Sequence, residues 1–318
     1  MSKLLTEDLI ASVKSRSLAP TSQKTWTDNE LTDILNEELF LNLVPDIYKT
    51  REDYFKTYTR VSLVSGQYYY RLPERALGDT LEDVVIIDNS GNRWPLNRYS
   101  SRDIPNTTVN YPNFSGYCIE GTRIRLIPQT NMPGSFLEFR YSMRISKLVP
   151  TTRVAQITGV SVGGANTTFT VDTDLTAILS ASDECDFYTG ESPFSVLYPD
   201  VVIGTITATT VIVPNTSVDN EVGTVDVSVG DYVSLPSEAN MALLPEEFDP
   251  IIAQLAAVYI LEAFGRQEML GGAYKKLEDL KRNAFTLMSN RVENTVKHII
   301  PRGGFYRRGP FGVNTIGS

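Results

Sequence analysis

Histidine and cysteine are nearly missing from this sequence: 318 residues carry one His and two Cys. The lone His298 has no Gly-x-Ser-x-Gly elbow beside it, which excludes the usual His-assisted nucleophile. Zinc requires clustered Cys and His, so one His and two distant Cys cannot build a structural site. Cys118 and Cys185 give no disulfide framework and are expected to be buried thiols. No apolar run approaches the roughly 20 residues that span a bilayer. The opening Met1-Ser2-Lys3-Leu4-Leu5-Thr6-Glu7-Asp8 places acids where a signal peptide keeps a basic flank and an apolar core, so a cytoplasmic product is expected. A P-loop is absent, because Gly159-x-x-x-Gly163-Gly164 lacks the Lys-Ser/Thr ending. The Asn-x-Ser/Thr matches at Asn106, Asn113, Asn166 and Asn215 carry no meaning without secretion. No cofactor is called for.

Basic residues are also missing over a long internal stretch. Between Arg153 and Arg266 there is no Lys or Arg, although the chain holds 29 of them. From Thr151 to Pro236 there is one base, Arg153, against eleven acids. Such a segment repels nucleic acid, since phosphate neutralisation needs cations. The end of the chain reverses this balance: no acid follows Glu293, while Lys297, Arg302, Arg307 and Arg308 do.

What is present is enough apolar residue, 42%, for a sizeable core. The N-terminal quarter reads as three helices between about Leu4 and Lys56. Thr6 is expected to cap the first, with Leu9, Ile10 and Val13 on one face. Thr27-Asp28-Asn29-Glu30 has the form of a capping box, followed by Leu31, Ile34, Leu35, Leu39 and Leu43 at helical spacing. Pro45 is expected to stop that helix and begin the next, whose face continues through Ile47, Tyr48, Arg51, Tyr54, Phe55 and Tyr58.

From about Val61 the period becomes two. Strands are expected at Gln67–Leu72 and Asp83–Ile87, with a return strand at Trp94. Thr122–Ile127 and the alternation Leu137, Phe139, Tyr141, Met143, Ile145 add further strands. Glu138, Arg140, Ser142 and Arg144 should then form a wet face. Strands at Val154–Val162, Thr167–Val171, Val201–Ala208, Val211–Val213 and Tyr232–Leu235 form a second, Thr-rich and acidic set, entered at Pro150 and left at Pro236. Asp249-Pro250 should open a helix that ends at Gly265. A longer helix is expected over Gln267–Val292, with a seam of Leu270, Tyr274, Leu277, Leu280, Ala284 and Leu287. Glu278 should pair with Arg282 on it, and Gly271-Gly272 should permit a kink or close backbone approach.

The fold class that follows is α+β. The N- and C-terminal helices (residues 1–60 and 240–293) form one helical bundle. Residues 61–150 form a β-sandwich or small barrel, residues 151–236 an inserted acidic β domain, and residues 294–318 a basic aromatic arm. Arg302, Phe305, Tyr306, Arg307, Arg308 and Phe311 of that arm are candidate partner-binding residues. Asp172 and Asp174, two apart on a strand, and Asp183, Glu184 and Asp186 in a loop are candidate Ca²⁺ ligands or a glycosidase-type acid pair. Against both stands a solvated acidic face. The aromatics Phe187, Tyr188, Phe194 and Tyr198 leave carbohydrate or receptor binding open.

Several segments in order resemble a known family. These are Leu9-Ile10-Ala11-Ser12-Val13-Lys14-Ser15-Arg16, Pro20-Thr21-Ser22-Gln23, Thr27-Asp28 before a helix ending Leu43-Val44-Pro45, and Arg51-Glu52-Asp53-Tyr54-Phe55. Near the other end stand Leu244-Pro245-Glu246-Glu247-Phe248, Leu261-Glu262-Ala263-Phe264-Gly265 and Asn290-Arg291-Val292-Glu293. The chain resembles, over roughly 1–150 and 240–295, large head–tail adaptors of short-tailed bacteriophages, including the crAss-like group. That resemblance implies a homo-oligomeric ring, commonly a dodecamer, in the virion, assembled in the host cytoplasm. It further implies contacts with the portal and with downstream tail or ring proteins, DNA as a passing channel occupant, and no membrane partner. Smaller adaptors of related phages are mostly helical, so the β regions here depart from them.

Overall fold

A computed structural model describes residues 3–18, 26–100, 116–127, 134–215 and 226–289. Helix α1 (Thr6–Arg16) and helix α2 (Asp28–Glu38) lie at the start of the chain. The capping box holds: Thr27 Oγ1 accepts from the Glu30 N–H at 3.3 Å, and the Glu30 carboxylate accepts from the Thr27 N–H at 2.7 Å. Thr6, by contrast, is not the cap of α1. It is the first helical residue, and its buried hydroxyl donates to the Asn240 carbonyl. Pro45 lies in the first turn of α3 (Val44–Thr50) as expected, but it does not stop the helix before it. A π turn over Leu39–Leu43 joins α2 directly to α3. Its wide i→i−5 bond, from Val44 N–H to Leu39 C=O, falls just before the proline that has no N–H to give. The helical face expected through Tyr58 stops at Thr50, and Lys56–Ser62 is already a strand.

Helix α4 (Asp249–Ala263) is buried on nearly every side, as its all-round apolar sequence requires. It is not capped by Asp249, which sits inside the first turn. Gly265, in the left-handed region at φ 65°, ends it as expected. Helix α5 (Gln267–Met288) stops short of Val292, which lies outside the described residues. One apolar cluster takes Leu9 and Val13 from α1, Leu31 and Leu35 from α2, Ile47 from α3, Ile252 and Leu255 from α4, and Leu277 and Ala284 from α5. The two ends of the described chain therefore share a core. Of the expected seam on α5, Leu270, Leu277, Leu280 and Ala284 meet the cluster, joined by Ala273, Phe285 and Met288, whereas Tyr274 and Leu287 are exposed. Arg282 pairs with Asp279 rather than with Glu278.

Gly271 and Gly272 neither kink α5 nor admit a close neighbour, since a Cβ at either position would meet nothing within 4 Å. They are helix-weakening residues in an exposed turn. Gly271→Ala and Gly272→Ala are each expected to raise the unfolding free energy by about 0.5–1 kcal/mol. Urea denaturation with an unchanged m-value would register the gain.

The first sheet runs in the order β1 (Lys56–Ser62), β8 (Phe136–Ser142), β3 (Asp83–Ile87), β4 (Arg93–Pro95), all antiparallel. The second runs β2 (Tyr69–Arg71), β7 (Arg123–Ile127), β6 (Gly116–Glu120), β5 (Asn97–Arg98). The two share an apolar cluster that includes Tyr70, Val84, Ile86, Tyr117, Ile124, Leu126, Leu137 and Phe139. No barrel closes among the described strands, because each sheet keeps two end strands.

A seven-stranded antiparallel sheet follows. Its order is β13 (Val196–Val202), β12 (Glu184–Tyr188), β16 (Tyr232–Ser234), β10 (Val154–Val162), β11 (Asn166–Val171), β15 (Thr210–Pro214), β14 (Thr205–Thr207). It has its own core around Phe169, Phe187, Val211, Val213 and Val233. The strand expected over Val201–Ala208 is thus two strands, broken at Ile203 and Gly204. Where the chain enters and leaves this sheet, β9 (Lys147–Leu148) and β17 (Glu238–Ala239) pair in parallel. Asn36 of α2 clamps β9 through both amide atoms, on the Leu148 carbonyl and the Leu148 N–H.

Candidate interaction sites

Three buried carboxylates tie distant parts of the chain together. Asp186 lies on β12, fully buried, and its Oδ2 stands 2.5 Å from Arg75 Nη1. Arg75, itself buried, also donates to Ser146 Oγ at 2.8 Å. Asp186 further accepts from the N–H groups of Asp200, inside β13, and Ser237, in a turn. Burial pushes its carboxyl above the usual range, while Arg75 and the two N–H groups pull it back. This pair joins the chain between β2 and β3 to the seven-stranded sheet.

Glu138 on β8 is the second. The alternation placed it on a wet face, yet it is 1% exposed. Arg60 donates to its Oε2 from both Nε and Nη2 at 3.1 Å, Arg140 to its Oε1 at 3.0 Å, and Arg93 stands at 3.7 Å. Register explains the convergence: Arg60 lies opposite Glu138 on the neighbouring strand, and Arg140 is two residues along. The long arginine stems cover the carboxylate while their heads stay partly in water. Asp249 is the third. Lys3 Nζ reaches its Oδ1 at 2.6 Å and the Leu244 carbonyl at 2.9 Å, and the Leu4 N–H donates to Oδ2. Burial lowers the Lys3 ammonium and raises the Asp249 carboxyl.

The acids singled out as Ca²⁺ ligands do not converge. Asp172 lies just past β11 and accepts from the Gln156 N–H; Asp174 is in the following turn and accepts from Thr176. They are not two positions of one strand. Asp183 accepts from the Ser180 N–H, and Glu184 and Asp186 belong to β12 rather than to a loop. Among the described residues no group of three or more His, Cys, Asp or Glu side chains is placed to hold a metal ion. Three of the aromatics considered for carbohydrate binding, Phe187, Tyr188 and Phe194, are buried. Both cysteines are buried and free, and burial raises both thiols above their ordinary range. His298 and the arm residues Arg302, Phe305, Tyr306, Arg307, Arg308 and Phe311 lie outside the described residues.

A groove of about 400 Å³ separates β1, the end strand of the first sheet, from β13, the end strand of the seven-stranded one. Its walls are Thr59, Val61, Leu72, Pro73 and Phe139 on one side, with Arg71, Glu74, Glu184 and Asp200 around them. Arg71 is bonded to Glu74 at 3.0 Å. Burial first, and the neighbouring carboxylates Asp200 and Glu74 second, raise the Glu184 carboxyl. Burial, then Asp186, raise that of Asp200. Sequence reading missed this groove, because its carboxylates come from segments more than 100 residues apart.

The described residues define an α+β protein of helices and open sheets, whose buried charges join its parts. Residues 6–160 match the family model described as the SU10 adaptor protein, a stretch from the start of α1 into β10. That match fits the resemblance to phage head–tail adaptors and supports a phage structural adaptor. No curated protein matches the chain. Among the described residues no helix is long and apolar enough to cross a membrane.

Proposed function

We propose that this chain is a head-to-tail adaptor subunit that closes into a homo-oligomeric ring. In this reading the ring joins the portal to a downstream tail or ring protein, and DNA passes through its channel. The observation that carries the reading is the adaptor-family match over residues 6–160. The charge pattern supports it: a segment with one base and eleven acids would let DNA slide past without binding. The residues act as structure rather than as catalysts, and the location is the virion after assembly in the host cytoplasm. The finer kinship with crAss-like phages and the dodecameric copy number are part of the same proposal.

The division of labour follows. Residues 1–60 with 240–293 form the helical body, 61–150 and 151–236 are two β domains, and 294–318 are an arm that grips a neighbour. Purified chain mixed with its portal should form closed rings under the electron microscope. Strictly monomeric particles that ignore the portal would sink the reading.

A further inference from the structure

The groove between β1 and β13 is acidic and lies between the open edges of two sheets, and the chain itself contains a segment of opposite character. We propose that this groove receives the basic, aromatic C-terminal segment, residues 297–312, of a second copy of the chain. The inference rests on the ring reading and supplies one of its contacts.

Charge complementarity is the first argument. Glu74, Glu184 and Asp200 surround the groove, and Arg71, the one cation among its described lining residues, is bonded to Glu74. The segment after Glu293 holds Lys297, Arg302, Arg307 and Arg308 and no acid. Shape is the second. Val61, 37% exposed, gives the groove an apolar patch, which Phe305, Tyr306 or Phe311 can cover. Edge geometry is the third. β1 and β13 each have a strand neighbour on one side only among the described strands, and an end strand is a template for a further extended chain. A Gly- and Pro-punctuated sequence suits that role, because both residues disfavour a competing helix. Reach is the last. α5 ends at Met288, and the 17 residues from there to Phe305 span up to about 55 Å when extended, enough to leave the parent copy. One donor segment and one acceptor groove on every copy make a heterologous contact that can close into a ring.

The test pairs two measurements on the full chain. A fluorescent peptide of residues 296–312 is titrated by anisotropy onto wild type and onto Glu74→Lys/Glu184→Lys. Both changed side chains are exposed, so the fold should survive, and a circular dichroism melt confirms that it does. Binding to wild type that weakens at least tenfold in the variant and falls with added salt is the expected result. Equal binding to both proteins, or none to wild type, overturns the proposal. Disulfide trapping then identifies the source. Glu184→Cys chains mixed with Arg302→Cys chains should give a cross-linked species of twice the mass. A chain carrying both changes that cross-links only within itself overturns the second-copy assignment. Rings that still form with the portal while both measurements fail would leave the ring reading standing and remove this contact from it.

Discussion

Arg75→Met is expected to destabilise the protein by about 3–5 kcal/mol, the cost of leaving a buried charge without its partner. Asp186 has no access to water with which to replace the guanidinium, being 0% exposed. Its two remaining donors, the Asp200 and Ser237 N–H groups, are neutral and cannot offset the loss. The direction with pH follows from the raised carboxyl. A buried Asp whose folded pKa lies above its unfolded value binds a proton in the folded state first. Its ionised form therefore weakens the fold as pH rises through that window, and protonation relieves the strain as pH falls. Without Arg75 the carboxyl rises further. The deficit of the variant should accordingly be largest at neutral and higher pH and shrink toward the ordinary carboxylate range. Urea denaturation of wild type and variant at several pH values measures this. A deficit independent of pH would mean that lost packing, not the unpaired charge, is responsible. Asp186→Asn in the Arg75→Met background should recover part of the loss, because the amide keeps the shape without the charge, although its single oxygen can accept from only one of the two N–H groups, which bond different carboxylate oxygens.

The same pair shows where the sequence was readable and where it was not. Local signals survived into the fold. The Thr27–Glu30 capping box, the alternation of β7 and β8, the run Asp83–Ile87 and the stop at Gly265 all act through residues a few positions apart. Strand β12 did not show itself. Its acids Glu184 and Asp186 looked like a solvated loop, because the partner that permits Asp186 to be buried lies 111 residues away. Glu138 misled for a related reason. The period of two gave its face correctly, but Arg60 and Arg93 from other strands, with Arg140 two residues along the same strand, turned that face into a covered one. The wide turn before Pro45 was hidden because its bonding skips one residue beyond the helical spacing. The acidic groove, assembled from β1, β12, β13 and the turn after β2, has no linear signature at all. Propensity and periodicity report what a segment prefers; they do not report which distant charge will arrive to pay for an exception.

Lys3→Met should cost about 3 kcal/mol, the lower end expected for breaking a buried pair, because a segment this near the terminus can relax by fraying. Lys3 and Asp249 side chains are 6% and 3% exposed. Their bond spans 246 positions and fastens the first residues of the chain to the start of α4. Lys3 also lies 5.0 Å from the ring of Phe194, in the loop between β12 and β13. Removing it leaves Asp249 with the Leu4 N–H and whatever the α4 N-terminus offers through its dipole. Since burial already raises the Asp249 carboxyl, the deficit should again decrease as pH falls and the carboxyl takes up its proton. The local readout distinguishes this variant from the first. The Thr6 N–H, bonded to the Asn240 carbonyl at 2.8 Å, should exchange with deuterium much faster once Lys3 is gone. Amides of β10 and β11, far from that bond, should keep their wild-type protection relative to global stability. If the Thr6 amide exchanges no faster than theirs, the N-terminal segment is held by α1 packing alone and the buried ion pair contributes nothing to joining the two ends.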